Sequence, residues 1–175
     1  MSKTLSVLSL AVLLVVASVT PLAAQEMTRL ERQVRHELVM LPYYGVFDWL
    51  QFRVDGSKVT LIGWVTRPTL KTSAERVVKD IEGVATVDNQ IEVLPVSPND
   101  DRIRLAAYRA IYYNPNFTRY AIQAVPPIHI IVQNGDIRLV GSVATQADKD
   151  LAGIQANGVS GAFSVTNDLV VENPR

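Results

Sequence analysis

Apolar positions along this chain follow two rhythms, one of helical spacing and one of strand alternation, and the pair of rhythms comes twice. Val34, Leu38 and Leu41 fall on one helical face. They follow Thr28-Arg29-Leu30-Glu31, the spacing of a capping box, in which a hydroxyl accepts from the third amide while the carboxylate reaches back. Two strand-like runs come next, Phe52-Arg53-Val54 and Val59-Thr60-Leu61-Ile62, around Asp55-Gly56. Asp-Gly and Asn-Gly pairs supply the positive φ values of tight hairpin turns. A second helix is predicted from Pro68 to Ile81, with an apolar stripe of Leu70, Ala74, Val77, Val78 and Ile81. Gly83 stands where a left-handed residue ends a helix, and a last strand runs from Thr86 to Leu94.

The same order then returns. Ser97-Pro98-Asn99-Asp100 opens a helix by the same device, and Ile103, Ala107 and Ala110 mark its apolar face. Ile128 to Val132 and Ile137 to Val140 flank Asn134-Gly135. A helix beginning at Thr145-Gln146-Ala147-Asp148 runs through Leu151, Ile154 and Val159, Gly161 ends it, and the last strand is Ser164 to Val171. An offset of 78 lays residues 63–93 over 141–171 without a gap, with identities that include Gly63/Gly141, Lys71/Lys149, Gly83/Gly161, Val87/Val165 and Asn89/Asn167. Upstream the offset is 69, which sets Tyr43-Tyr44 on Tyr112-Tyr113 and leaves nine extra residues between helix and hairpin in the second copy.

The predicted fold class is therefore α+β. Two tandem small domains are expected, each helix-strand-strand-helix-strand, with two helices on one face of an antiparallel or mixed three-stranded sheet. The first covers residues 25–95 and the second 100–175, joined by a short linker at 96–99 in the stiff stretch that begins Pro95-Val96-Ser97-Pro98. Such a sheet buries only one face, so the open faces or edges are expected to meet and make residues 25–175 one body.

Composition adds where the chain goes. Lys3, an uncharged run from Leu5 to Ala17 and the small residues up to Ala24 have the layout of a cleaved secretory signal at residues 1–24, and the run is shorter than a membrane span needs. The mature chain would then be periplasmic or secreted and not membrane-spanning. Its loss of Lys3 from a balance of 17 basic and 17 acidic residues leaves a net charge of −1. That gives no bulk attraction to nucleic acid or anionic lipid. With no cysteine there is neither a disulfide frame nor a thiolate metal site.

Catalytic chemistry finds little to stand on. His36 and His129 are read as solvent-facing or hydrogen-bonded residues, Asn99-Asp100-Asp101 as helix capping and not a calcium loop. No nucleophile elbow, paired histidine or phosphate-cradling loop occurs. No catalytic residue, metal, cofactor or small-molecule substrate is assigned, and the expectation is a non-enzymatic protein.

Two motifs carry a resemblance. Val59-Thr60-Leu61-Ile62-Gly63 and Gly83-Val84-Ala85-Thr86-Val87-Asp88-Asn89 resemble the marks of the BON family, named for bacterial OsmY and nodulation proteins. The second copy repeats them as Ile137-Arg138-Leu139-Val140-Gly141 and Gly161-Ala162-Phe163-Ser164-Val165-Thr166-Asn167, departing at Ala162. The resemblance implies a domain of the envelope or periplasm, associated with phospholipid surfaces, envelope or osmotic stress, or attachment to larger membrane proteins. The motif residues Gly63, Gly83, Val87, Asn89, Gly141, Gly161, Val165 and Asn167 read as structural, the glycines permitting close helix–sheet approach and helix exit.

The remaining signal is aromatic. Tyr43, Tyr44, Phe47 and Trp49 in the first copy and Tyr112, Tyr113, Phe117 and Tyr120 in the second make eight of the chain's twelve aromatics. Phe47, Trp49 and Phe117 suit a cap on the core, whereas the tyrosines suit a wet interface with lipid or a partner protein. Arg29, Arg32, Arg35, Arg102, Arg104 and Arg109 lie nearby on the first helix of each copy. The expected partner is a phospholipid membrane surface. The alternative is an envelope protein, with the chain as an adaptor or chaperone-like stress protein.

Overall fold

The structure, a computed structural model, describes residues 28–172; the signal reading at 1–24 lies outside the described residues. Helix α1 (Arg29–Val39) starts with the full capping box: Glu31 N donates to Thr28 Oγ1 at 3.2 Å and Thr28 N to Glu31 Oε2 at 2.6 Å. Such a cap is worth about 1 kcal/mol. Val34 and Leu38 face inward, and Leu41 is also buried although the helix has ended. Strands β1 (Trp49–Asp55) and β2 (Lys58–Val65) form the hairpin, α2 (Pro68–Lys79) crosses over, and β3 (Thr86–Val93) returns parallel to β2. Val59, Leu61 and Val65 of β2 are buried with Leu70, Ala74 and Val78 of α2 in the first core.

The second domain repeats this mixed sheet. It comprises α3 (Pro98–Tyr112), α4 (Thr118–Ala121), β4 (Ile128–Gln133), β5 (Asp136–Val143), α5 (Gln146–Asn157), β6 (Ser164–Asn167) and β7 (Val170–Val171). β4 pairs antiparallel with β5, and β6 and β7 both pair parallel with β5, so the one predicted last strand is broken at Asp168-Leu169. The extra residues form a 3₁₀ turn, Pro115–Phe117, and α4. Asp148, at the start of α5, ties them down by accepting from Tyr120 Oη at 3.0 Å and from Arg119.

Three local readings change. In the first hairpin Asp55 pairs with Lys58, so the turn residues are Gly56-Ser57 and only Gly56 has positive φ, at 58°. In the second, Asn134 and Gly135 are both positive, as the sequence pair predicted. At α3 the cap is Ser97, which accepts from Asp100 N at 3.2 Å. The Asp100 carboxylate does not reach back; it accepts from Asn134 N at 3.0 Å and Gly135 N at 2.8 Å, pinning the helix to the turn amides that lack a ladder partner. The tyrosine pairs also shift by one residue. Tyr44 and Tyr112 are the true equivalents, because each hydroxyl meets the backbone of the matching edge-strand residue, Leu50 and Ile128 respectively.

The two domains pack through the faces their helices leave open. Trp49 and Trp64, opposite each other on β1 and β2, join Leu94 against Ile131 and Val140 of the second sheet. As a result β4 is buried on both faces.

Candidate functional site

Most of the aromatic candidates serve the core or the contact between domains. Phe117 is 0% exposed, Tyr112 5% and Tyr120 4%, so these three belong to the second core and not to a surface. Tyr112 Oη donates to Ile128 O and accepts from Ile128 N, and Tyr120 Oη accepts from Ala144 N at 2.9 Å. Burial pushes the Tyr112 hydroxyl pKa up. Burial likewise raises that of Tyr44, to about 12, so neither ring ionises near neutral pH.

Tyr44, Phe47 and Trp49 are half-buried at the domain junction. The segment from Gly45 runs along β4: Ile130 N donates to Val46 O at 2.8 Å, and Val46 and Phe47 pack against the second core, Phe47 with its ring 6.1 Å from Tyr108. His129 is enclosed there. It is 3% exposed, its Nδ1 lies 3.3 Å from Gly45 O, and its ring centroid is 5.5 Å from Tyr44 and 4.9 Å from Trp49. Of the two offered readings the hydrogen-bonded one describes His129, whereas His36 is exposed. Removal from water lowers the His129 pKa to about 4, against two backbone carbonyls that favour the charged form. Asp48 fixes the segment by accepting from Gly45 N at 3.2 Å and from Thr66 N and Oγ1 at 2.7 and 2.9 Å.

Tyr43 and Tyr113 remain at the surface, 76% and 74% exposed. Tyr43 sits at φ 69°, beside Met40 at 66% exposure, with the Arg67 guanidinium 4.9 Å over its ring. A cleft of about 280 Å³ adjoins it, lined by Leu41, Pro42, Leu70 and Val77 among others. Among the cations offered for a lipid surface, Arg104 drops out. It is 4% exposed and donates to Val132 O at 2.6 Å and to Asp101 at 2.5 Å. Arg29, Arg32, Arg35, Arg102 and Arg109 are exposed.

Trp64, Ile131 and Val140 are the contact residues that pattern reading passed over. Their signal was available, since each is apolar on the face its strand should turn to water.

The motif residues hold the domains together in matching ways. A Cβ on Gly63 would lie 1.9 Å from Trp49 O, and one on Gly141 1.9 Å from Pro127 O. The close approach is thus to the chain beside β2 or β5, and not to a helix as expected. Gly83 and Gly161 do not end the helices, which stop at Lys79 and Asn157 with Asp80 and Gly158 as caps; they take φ 94° and 90° three residues further on, in the turn that leads to the last strand. Asn89 Nδ2 donates to Lys71 O at 3.0 Å and Asn167 Nδ2 to Lys149 O at 2.7 Å, so the same asparagine ties the last strand to the same helix turn in both copies. Val87 and Val165 are half-buried against their own cores. Among the described residues no group of three or more His, Cys, Asp or Glu could hold a metal ion, and no helix is long and apolar enough to cross a membrane.

These repeated contacts define a duplicated α+β domain, two mixed sheets of one topology packed as a pair. The BON domain matches residues 28–95 and 99–173, and the chain belongs to the BON domain family. Osmotically-inducible protein Y of Escherichia coli (strain K12) is 30% identical over 122 residues, which are 69% of this chain and 60% of that protein. Among solved structures, the C-terminal domain of CdsD, the structural protein of the type III secretion system of Chlamydia trachomatis, is matched over 85% of this chain and 100% of that one. The identity is 15% and the TM-score 0.30. A second CdsD structure is matched over 82% and 92%, at 13% identity and a TM-score of 0.28.

Proposed function

We propose that this chain is an exported, non-enzymatic envelope protein that works as a membrane-surface module in osmotic or envelope stress, resting on phospholipid through Tyr43 and Tyr113. The carrying observation is the exposure of these two rings after the fold has used the other aromatic candidates. An amphipathic ring lowers its free energy at a headgroup boundary, and Met40 adds apolar area beside Tyr43. Arg67 and the exposed arginines of α1 add attraction to anionic headgroups. Family membership supports the reading, as does the osmotic induction in the relative's name.

Vesicle flotation tests it. The chain should float with anionic vesicles at low salt, less at high salt, and several-fold less as the Tyr43→Ala, Tyr113→Ala double variant. Absence of flotation with every lipid and salt tried would sink the lipid reading and favour an envelope adaptor or chaperone-like protein.

A further inference from the structure

The two edge strands that match each other in the repeat are treated differently. Edge β4 of the second domain is covered by Gly45-Val46-Phe47, through the Ile130 N to Val46 O hydrogen bond. Edge β1 of the first domain pairs only with β2; the Tyr44 hydroxyl meets it at Leu50, and among the described residues no further strand pairs with its other side. Phe52 pairs with Leu61 as Ile130 pairs with Leu139, so by the same register the N–H of Phe52 points away from its sheet. Beside it, between β1 and α1, lies a cleft of about 350 Å³ lined by Arg35, Leu38, Val39, Phe52 and Arg53 among others. The matching place in the second domain, under Tyr108, is the one Phe47 fills.

The reverse imbalance exists at the other end. At the offset of 78, Gln123-Ala124-Val125 matches Gly45-Val46-Phe47. Gln123 and Ala124 are exposed and Ile122 before them is 79% exposed. One domain has the docking segment and no edge to put it on; the other has the edge and no segment. We propose that copies of this chain associate head to tail, with Ile122–Val125 of one molecule laid along β1 of the next.

The contact within the chain is the template. Gln123 would meet Gln51 as Gly45 meets His129, and Ala124 O would accept from Phe52 N as Val46 O does from Ile130 N. Around that strand pairing the surfaces differ. Trp49, Trp64 and Leu94 become Pro127, Ser142 and Glu172, and His129, Ile131 and Val140 become Gln51, Arg53 and Ile62. The tryptophan contact is thus replaced by a polar one in which Glu172 and Arg53 bear opposite charge. Such a join is weaker than the one within the chain, reversible and salt-sensitive. Because the two surfaces are different, it extends as an open row unless the rotation closes a ring.

The absence of cysteine makes the test direct. Gln51 and Gln123 are exposed, so Gln51→Cys and Gln123→Cys leave the fold alone. Mixed under mild oxidation, the two single variants should give a disulfide-linked dimer at least about tenfold faster than either alone, since a held contact raises the thiols' effective concentration. Arg53→Glu should abolish that excess and Glu172→Arg should restore it. A mixture that crosslinks no faster than its parts, with sedimentation of a single monomeric species at every concentration, overturns the proposal. So does co-expression of the two single variants in cells if the Gln51→Cys adducts contain a different envelope protein and never the Gln123→Cys chain.

Discussion

His129 makes the contact between the domains a pH-dependent one. The imidazole is closed in by the Tyr44 and Trp49 rings and by the Gly45 and Asp48 backbone, and among the causes of its shift the loss of water is the largest. Its pKa falls from 6.5 to about 4 on folding, so between those values the unfolded chain binds a proton that the folded chain refuses. The sign follows directly. Stability is complete above pH 6.5, declines as pH falls toward 4, and levels off below, where both states are charged. A shift from 6.5 to about 4 at roughly 1.4 kcal/mol per unit gives about 3 kcal/mol in full, of which about 2 kcal/mol is lost by pH 5. The carboxylates with lowered pKa values, Glu31 and Asp148, start from ordinary values of 4.5 and 3.8, so their own losses fall mostly below this window.

Urea unfolding between pH 7.5 and 5 measures the effect. His129→Asn is the control, because its side-chain amide can still donate to Gly45 O yet does not titrate. The variant should be weaker than the parent at pH 7.5, having lost the ring contacts with Tyr44 and Trp49, and should approach it as the pH falls. A parent whose stability is flat over this range, or a variant that keeps the parent's slope, refutes the assignment of a buried neutral imidazole.

Two further outcomes follow from single contacts. Asn89→Ala removes the tie between β3 and the Lys71 carbonyl and should cost about 1–2 kcal/mol in urea unfolding, with Asn167→Ala matching it in the second domain. Tyr43→Gly relieves a side chain held at positive φ, so it should leave stability unchanged or raise it by roughly 0.5–1 kcal/mol in thermal unfolding, while flotation with anionic vesicles falls.

The repeat was legible because its defining contacts are local and doubled. Asn89 and Asn167 each stand 18 residues after the lysine whose carbonyl they hold, Lys71 and Lys149, so aligning the copies aligns the contacts. The predicted helices and strands are found with ends moved by up to three residues, as at β1, which starts at Trp49 and not Phe52, and with the last strand of the second copy split into β6 and β7. Helix α4 was out of reach: four residues are too few to show a helical period. The aromatic segments stand out in the sequence, but their use could not be read from it. Tyr44, Phe47 and Trp49 have the composition of a partner interface, and here the partner is the other half of the same chain. Arg104 failed for a related reason, since a buried guanidinium that donates to Val132 O is indistinguishable in sequence from its exposed helix neighbours.

Divergence between the copies explains why a pair is needed. A single domain of this type covers one sheet face with helices and leaves the other bare. In the first domain that bare face carries Trp49 and Trp64, apolar area that a solitary unit would expose to water. The second domain answers with Ile131 and Val140 at positions where the first has Arg53 and Ile62. Each copy has therefore been specialised for a side of one contact, the first to insert Val46-Phe47 and the second to receive it. Separating the domains would uncover both faces at once and release His129 to water, so a short linker suits two halves held in contact.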